Sequence, residues 1–175
     1  QKAIQPIVFF VDLLNNWYIR RSRRRFWRSE NDRDKDQAYQ TLYSVLLKVV
    51  QVAAPFMPFV TEEIYRNLRP DGTPLSVHLT DYPEADTSKR DPGLEFKMKV
   101  TRTAVSMGRA LRSMHSIKIR QPLKALHLVT RDQSERLVLR EMEDIIREEL
   151  NIKEVIFREN EEELVEFSAK ANYRL

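Results

Sequence analysis

The chain has 175 residues, 42% of them hydrophobic, with only 3 glycines and 8 prolines and no cysteine. That is enough for one domain, or one with a small appendage, and the scarcity of Gly and Pro favours helices over a loop-rich sandwich. Disulfides and cysteine–zinc sites are excluded, no apolar run reaches the roughly 18 residues of a membrane span, and no cleavable leader is visible. The net charge of +4 is uneven: residues 1–30 hold seven basic and two acidic residues, 31–114 are close to balanced at +1, and 115–175 sum to −2. Polyanion binding is therefore expected of the opening segment and not of the far end.

That segment has no Gly or Pro between Ile7 and Pro55. Ile7, Phe10, Val11, Leu14 and Tyr18 follow one helical face, and Phe9, Leu13 and Trp17 add a second apolar row. The pattern predicts a helix from about Lys2 to Trp27, roughly 39 Å long at 1.5 Å per residue. Apolar over so much of its girth, its first half is expected at the centre of a bundle. Its second half leaves the core. Arg20, Arg21, Arg23, Arg24, Arg25 and Arg28 crowd there, no acid lies between Asp12 and Glu30, and Trp17, Tyr18, Phe26 and Trp27 are interleaved. Guanidinium groups pair with phosphate and stack on π-systems, and flat rings stack on unpaired bases, so the stretch reads as a surface for single-stranded or loop RNA. Arg20, Arg24 and Arg28 form one row at four-residue spacing, and Arg21 and Arg25 form its neighbour. Phe26 and Trp27 are candidate base platforms. Asn16 carries the donor and acceptor to read a base edge or, equally, to bond within the bundle. Trp17 and Tyr18 are read as core.

The polar turn SENDRDKD leads into a second helix, about Lys35 to Ala53, with Tyr39, Leu42, Tyr43, Leu46, Val49, Val50 and Ala53 on its core face. Pro55 and Pro58 break the chain, and Pro58 suits the first turn of a third helix from about Met57 to Leu68. Phe59, Ile64 and Leu68 are expected inward there. Glu62 and Glu63 point in different directions on a helix and make no catalytic pair. Residues 69–92 form a long irregular connection. His78, His115 and His127 lack metal-ligand spacing, and no metal site is expected. A fourth helix runs from about Leu94 to Met114, with Phe96, Val100, Ala104, Met107, Ala110, Leu111 and Met114 as its core positions. Arg120 before Gln121-Pro122 ends the helical pattern. Beyond it come a strand at Ala125–Thr130, an amphipathic helix at Ser134–Leu150 that Asn151 can end in a left-handed conformation, and a strand at Ile152–Arg158. So tight a unit favours a parallel pair. A third strand is expected at Leu164–Ala169. The chain opens in mid-helix and ends without a terminator, as a segment of a longer protein would.

The run NWYIRRSRRRFW closely resembles the first helix of the anticodon-binding domain of isoleucyl-tRNA synthetases, a class I family. Matching segments follow in order: QAYQTLYSVLLKVVQVAAPFMPFVTEEIYRNL, SVHLTDYP, IKIRQPL, REELNIKEV and AKANYRL. The resemblance implies a mainly α protein, an antiparallel helical bundle at 1–117 followed by a small α/β appendage at 118–175, joined through IKIRQPL. It implies that the long connection crosses the bundle with Val77 and Leu79 buried. It implies a cytoplasmic, monomeric protein whose partners are the anticodon stem-loop of tRNA(Ile) and the remainder of the synthetase chain. The family charges tRNA with isoleucine using ATP and Mg²⁺, through histidine-glycine-histidine and lysine-serine-lysine motifs that do not occur here. No catalytic residue and no cofactor are therefore expected in this segment. RNA contact falls to Asn16, Arg20, Arg21, Arg24, Arg25, Phe26, Trp27 and Arg28. The alternatives are a general single-stranded RNA-binding module and a protein-interaction bundle that docks an acidic partner.

Overall fold

The computed structural model describes residues 2–27 and 33–159. They are mainly helical, with one two-stranded sheet, and they form two units that divide after Asp86.

The first unit opens with helix α1 (Gln5–Leu13), which has Pro6 in its first turn, where a missing N–H costs nothing. The helical path then continues through a π-helical segment, Leu14–Ile19, into α2 (Arg20–Trp27). The Arg20 N–H donates to the Asn15 carbonyl five residues back. A π turn inserts about one residue, which rotates everything downstream by roughly 100° relative to an unbroken helix. The sequence predicts one uninterrupted period, so the two halves present different faces from those extrapolated. The expectation that the first half is buried needs correction: α1 has no buried residue, and Val8, Phe9, Phe10 and Val11 are all exposed. Its apolar girth calls for neighbours on more sides than the described residues supply.

Helix α3 (Arg33–Ala53) and α4 (Pro58–Leu68) pack on each other through Val50, Ala54 and Tyr65, with Val77 and Leu47 completing the cluster. Tyrosine hydroxyls pin the ends: Tyr43 donates to the Leu68 carbonyl at 2.6 Å and Tyr65 to that of Pro74 at 3.1 Å. Phe59, expected inward, is 90% exposed, and Ile64, Tyr39 and Tyr43 are also exposed. The inward stripe of α4 is instead Thr61 and Tyr65, because the buried Thr61 hydroxyl satisfies itself on the Met57 carbonyl at 2.7 Å. The long connection is stapled down. Glu62 accepts from the Ser76 hydroxyl at 2.8 Å and the Val77 N–H at 3.0 Å, and those bonds, the Ser76 one first, hold its carboxyl below the ordinary value. Val77 is buried as expected, whereas Leu79 is 71% exposed.

In the second unit α5 (Pro92–Met114) starts at Asp91, whose carboxylate accepts from the Leu94 N–H at 2.9 Å. Strand β1 (Leu123–Val129), helices α6 (Gln133–Glu141) and α7 (Glu143–Leu150), and strand β2 (Ile152–Arg158) follow. The strands pair in parallel, as the sequence predicts, with Leu123 opposite Ile152, and β1 starts two residues before the expected Ala125. Asn151 ends α7 at φ 48°, also as predicted, but the expected single helix breaks at Met142. Asp132 caps α6 through the Ser134 N–H at 2.7 Å. Helix α5 packs on α6 and α7. Its buried stripe is Val100, Thr101, Ala104, Val105, Gly108 and Arg112, while Phe96, Met107, Leu111 and Met114 from the expected core face are exposed. That packing puts α5 in the same unit as the sheet, so the described residues divide upstream of the boundary drawn at residue 117. The strand expected at 164–169 lies outside the described residues.

Candidate nucleic-acid interface

The interface is built on the rod from α1 to α2 and on the start of α3. After the π segment the inward positions of α2 are Ser22 and Phe26, four residues apart and both buried. Phe26 is 7% exposed, with its ring 5.1 Å from that of Tyr39 and tilted by 57°. The Tyr39 hydroxyl donates to the Phe26 carbonyl at 3.3 Å. The Phe26 face is thus occupied by the α2–α3 seam, and the ring is not offered to a base.

Trp27, the next residue, is 80% exposed. Adjacent helical positions lie about 100° apart, so Trp27 is carried off the face that buries Phe26. Arg20, Arg23 and Arg24 are exposed on α2 with it. The four residues fall at i, i+3, i+4 and i+7 and share one face. Arg23 belongs to this face although neither of the rows read from the sequence contains it. Those rows follow four-residue spacing alone, whereas a helical face also takes in the three-residue neighbour; the π segment sets which way the whole face turns.

The neighbouring pair, Arg21 and Arg25, is half-buried. The Arg21 guanidinium lies 5.4 Å from the centroid of the Trp17 ring, one turn back. Arg25 reaches Asp34 in α3 with Nη2 at 2.8 Å, donates from Nε to the same carboxylate at 3.0 and 3.1 Å, and donates from Nη2 to the Asp34 carbonyl at 3.2 Å. This fork fixes where α3 starts relative to α2. Its sequence signal is the turn SENDRDKD, whose Asp34 opens α3. Asn16 is exposed and donates to Asp12 Oδ1 at 2.6 Å, and its carbonyl accepts from Arg20 Nε at 2.9 Å. Arg28 lies outside the described residues.

The arrangement joins a cationic row to one bare aromatic face, the pairing that engages an unpaired, phosphate-bearing strand. Among the described residues, no helix is long and apolar enough to cross a membrane. Comparison with known proteins decides the family: the model of the anticodon-binding domain of tRNA ligase matches residues 1–127. The chain belongs to that family. It is similar to the isoleucine–tRNA ligase of Treponema denticola, 61% identical over 174 residues, which is 99% of this chain and 16% of that protein. Similarity to the isoleucine–tRNA ligases of Treponema pallidum strain Nichols (53%) and Protochlamydia amoebophila (44%) also extends over 99% of the chain. The chain thus spans about a sixth of the length of these relatives, 16–17%. As an anticodon-binding domain, it places its most basic helix and an exposed tryptophan ring at one end of the first unit's opening rod.

Proposed function

We propose that this chain is the tRNA-recognition segment of an isoleucine–tRNA ligase, and that the exposed face of α2 grips the anticodon stem-loop of tRNA(Ile). Arg20, Arg23 and Arg24 take backbone phosphates, and Trp27 stacks on an unpaired loop base. Arg21 and Arg25 position this face, the first by stacking on Trp17 and the second by anchoring α2 to Asp34. Asn16 stands one turn upstream of Arg20, where its amide reads a base edge. Residues of the helical part form an antiparallel bundle that carries the rod, in a monomeric, cytoplasmic protein. Activation of isoleucine with ATP and Mg²⁺ belongs to the remainder of the ligase. Anticodon contact contributes to that reaction at a distance, by holding the acceptor end in register.

The observation that carries the reading is the bare Trp27 ring among the arginines of α2, in a chain whose family is anticodon-binding. The test is a titration of the chain against hairpins with the isoleucine anticodon and with a swapped anticodon, at two salt concentrations. Tighter binding of the isoleucine hairpin, weakening with salt at about −0.7 in log–log slope per phosphate engaged, is expected. Equal binding of both hairpins argues for a general RNA module. Binding that ignores salt removes the phosphate contacts altogether.

A further inference from the structure

Between Glu95 and Asp132 the chain has nine basic residues and no acidic one. The net charge of −2 over 115–175 hides this, because the acids of that half begin at Asp132. The loop that joins α5 to β1 lies inside the acid-free stretch, and its backbone is held unusually tightly.

Helix α5 ends with paired bonds: the Ile117 N–H donates to the Arg112 carbonyl at 2.8 Å and the Ser116 N–H to that of Ser113 at 3.1 Å. This is the Schellman arrangement, and it puts Ser116, rather than the usual glycine, at φ 55°. A turn follows, closed by the Gln121 N–H on the Lys118 carbonyl at 3.0 Å. Arg112 is 5% exposed and reaches that turn from beneath. Its Nη1 donates to the carbonyls of Lys118 at 3.1 Å and Gln121 at 3.0 Å, and its Nη2 to those of Leu150 at 2.6 Å and Asn151 at 3.2 Å. The Asn151 amide, from the end of α7, donates to the carbonyls of Ile119 at 3.1 Å and Arg120 at 2.9 Å.

Every carbonyl from Lys118 to Gln121 therefore accepts from a donor fixed in the second unit. Lys118 and Arg120 are exposed. Among the described residues, neither they nor Arg112 pair with a carboxylate, so the buried guanidinium leaves its positive charge in the base of the loop. Two exposed cations on a tightly held backbone, over a buried third, match the backbone of a polyanion, and the loop backbone loses little conformational freedom on binding it.

We propose that the loop Ile117–Gln121 is a second RNA contact of this chain, in which Lys118 and Arg120 take backbone phosphates of the bound tRNA and Arg112 and Asn151 are positioning residues. This rests on the reading of the chain as a tRNA binder. It adds a surface in the second unit that recognises charge rather than sequence.

The experiment titrates the 175-residue chain with a full-length tRNA transcript bearing the isoleucine anticodon, across a salt series, with urea unfolding of each variant beside it. Three variants are compared: the double Lys118→Ala/Arg120→Ala, Asn151→Gly, and Arg24→Ala. The double variant is expected to make the log–log salt slope shallower by about 1.4 to 1.8, the loss of two phosphates. Asn151→Gly keeps the left-handed backbone and all the charge but removes the two amide bonds. It is expected to raise Kd several-fold with the slope intact, which a mere loss of charge does not do. Lys118→Gln/Arg120→Gln repeats the test if the alanine pair unfolds. A slope unchanged in the double variant while Arg24→Ala reduces it overturns this proposal and leaves the α2 interface standing. Unchanged tRNA binding with lost binding of a polyglutamate peptide assigns the loop to an acidic protein surface and also overturns it. A wild-type chain with no salt-dependent tRNA binding removes both readings.

Discussion

Substituting Phe26 and Trp27 one at a time separates fold from function at adjacent positions. Phe26 has 93% of its surface withdrawn from water and lies on the Tyr39 ring across the α2–α3 seam. Phe26→Ala is expected to cost about 3–5 kcal/mol of stability, the transfer of a buried ring plus the cavity it leaves. Trp27 has a fifth of its surface covered. On a side chain that buries roughly 150–250 Å² when enclosed, at about 25 cal/mol per Å², Trp27→Ala costs at most about 1 kcal/mol. Its loss should appear in binding instead. A stacked base is worth about 1–3 kcal/mol, so Kd for the isoleucine anticodon hairpin should rise roughly 5- to 150-fold. Trp27→Phe, which keeps a platform, should recover much of it. Urea unfolding and fluorescence anisotropy of a labelled hairpin measure the two quantities, and Phe26→Leu serves as the folded control if the alanine variant does not hold together. The reasoning is refuted if Trp27→Ala leaves Kd within about twofold of wild type, since stacking of that size cannot then be present.

Three further outcomes are expected. Arg24→Ala should flatten the salt dependence of hairpin binding by about 0.7 while thermal unfolding stays put, and an unaltered slope returns Arg24 to a solvated surface role. Glu62 has its carboxyl pKa held below 4.5 by the Ser76 hydroxyl and the Val77 N–H, so its contribution is complete above that value and lost as pH falls through the folded value. The stability difference between wild type and Glu62→Gln should be constant near neutrality and shrink under acid; a difference that grows on acidification contradicts the staple. Gly108→Ala would place a methyl 2.5 Å from Leu150 Cδ1, which is buried. Overpacking of about 1–3 kcal/mol should outweigh the helix-propensity gain of about 1, and a more stable variant shows that α7 gives way freely.

Local chemistry was legible where one residue type carries it. Asn151 tolerates the left-handed region, so the end of α7 could be read directly, and the alternation of Ile152–Arg158 gave β2 to the residue. The basic character of α2 was equally plain. Its faces were not. Residue type alone made platforms of both Phe26 and Trp27, and rows at four-residue spacing left Arg23 out; which way those faces turn depends on the π segment Leu14–Ile19, which leaves no compositional mark. On α5 the apolar residues cover two faces, and periodicity alone ranked Phe96, Met107, Leu111 and Met114 above Thr101, Gly108 and Arg112. The buried set contains a glycine and an arginine because α7 approaches Gly108 closely and the free carbonyls ending α7 need a donor.

The sequence by itself determined the helical composition, the parallel strand pair, the concentration of cations on one short helix and the family, since each is written in residue types and short spacings. Only the tertiary structure decided which ring is bare, which arginine is tied to Asp34, and that a buried Arg112 holds a basic loop in place. Those depend on how one surface meets another. A side chain several turns or a whole helix away sets them, and no local period encodes that distance.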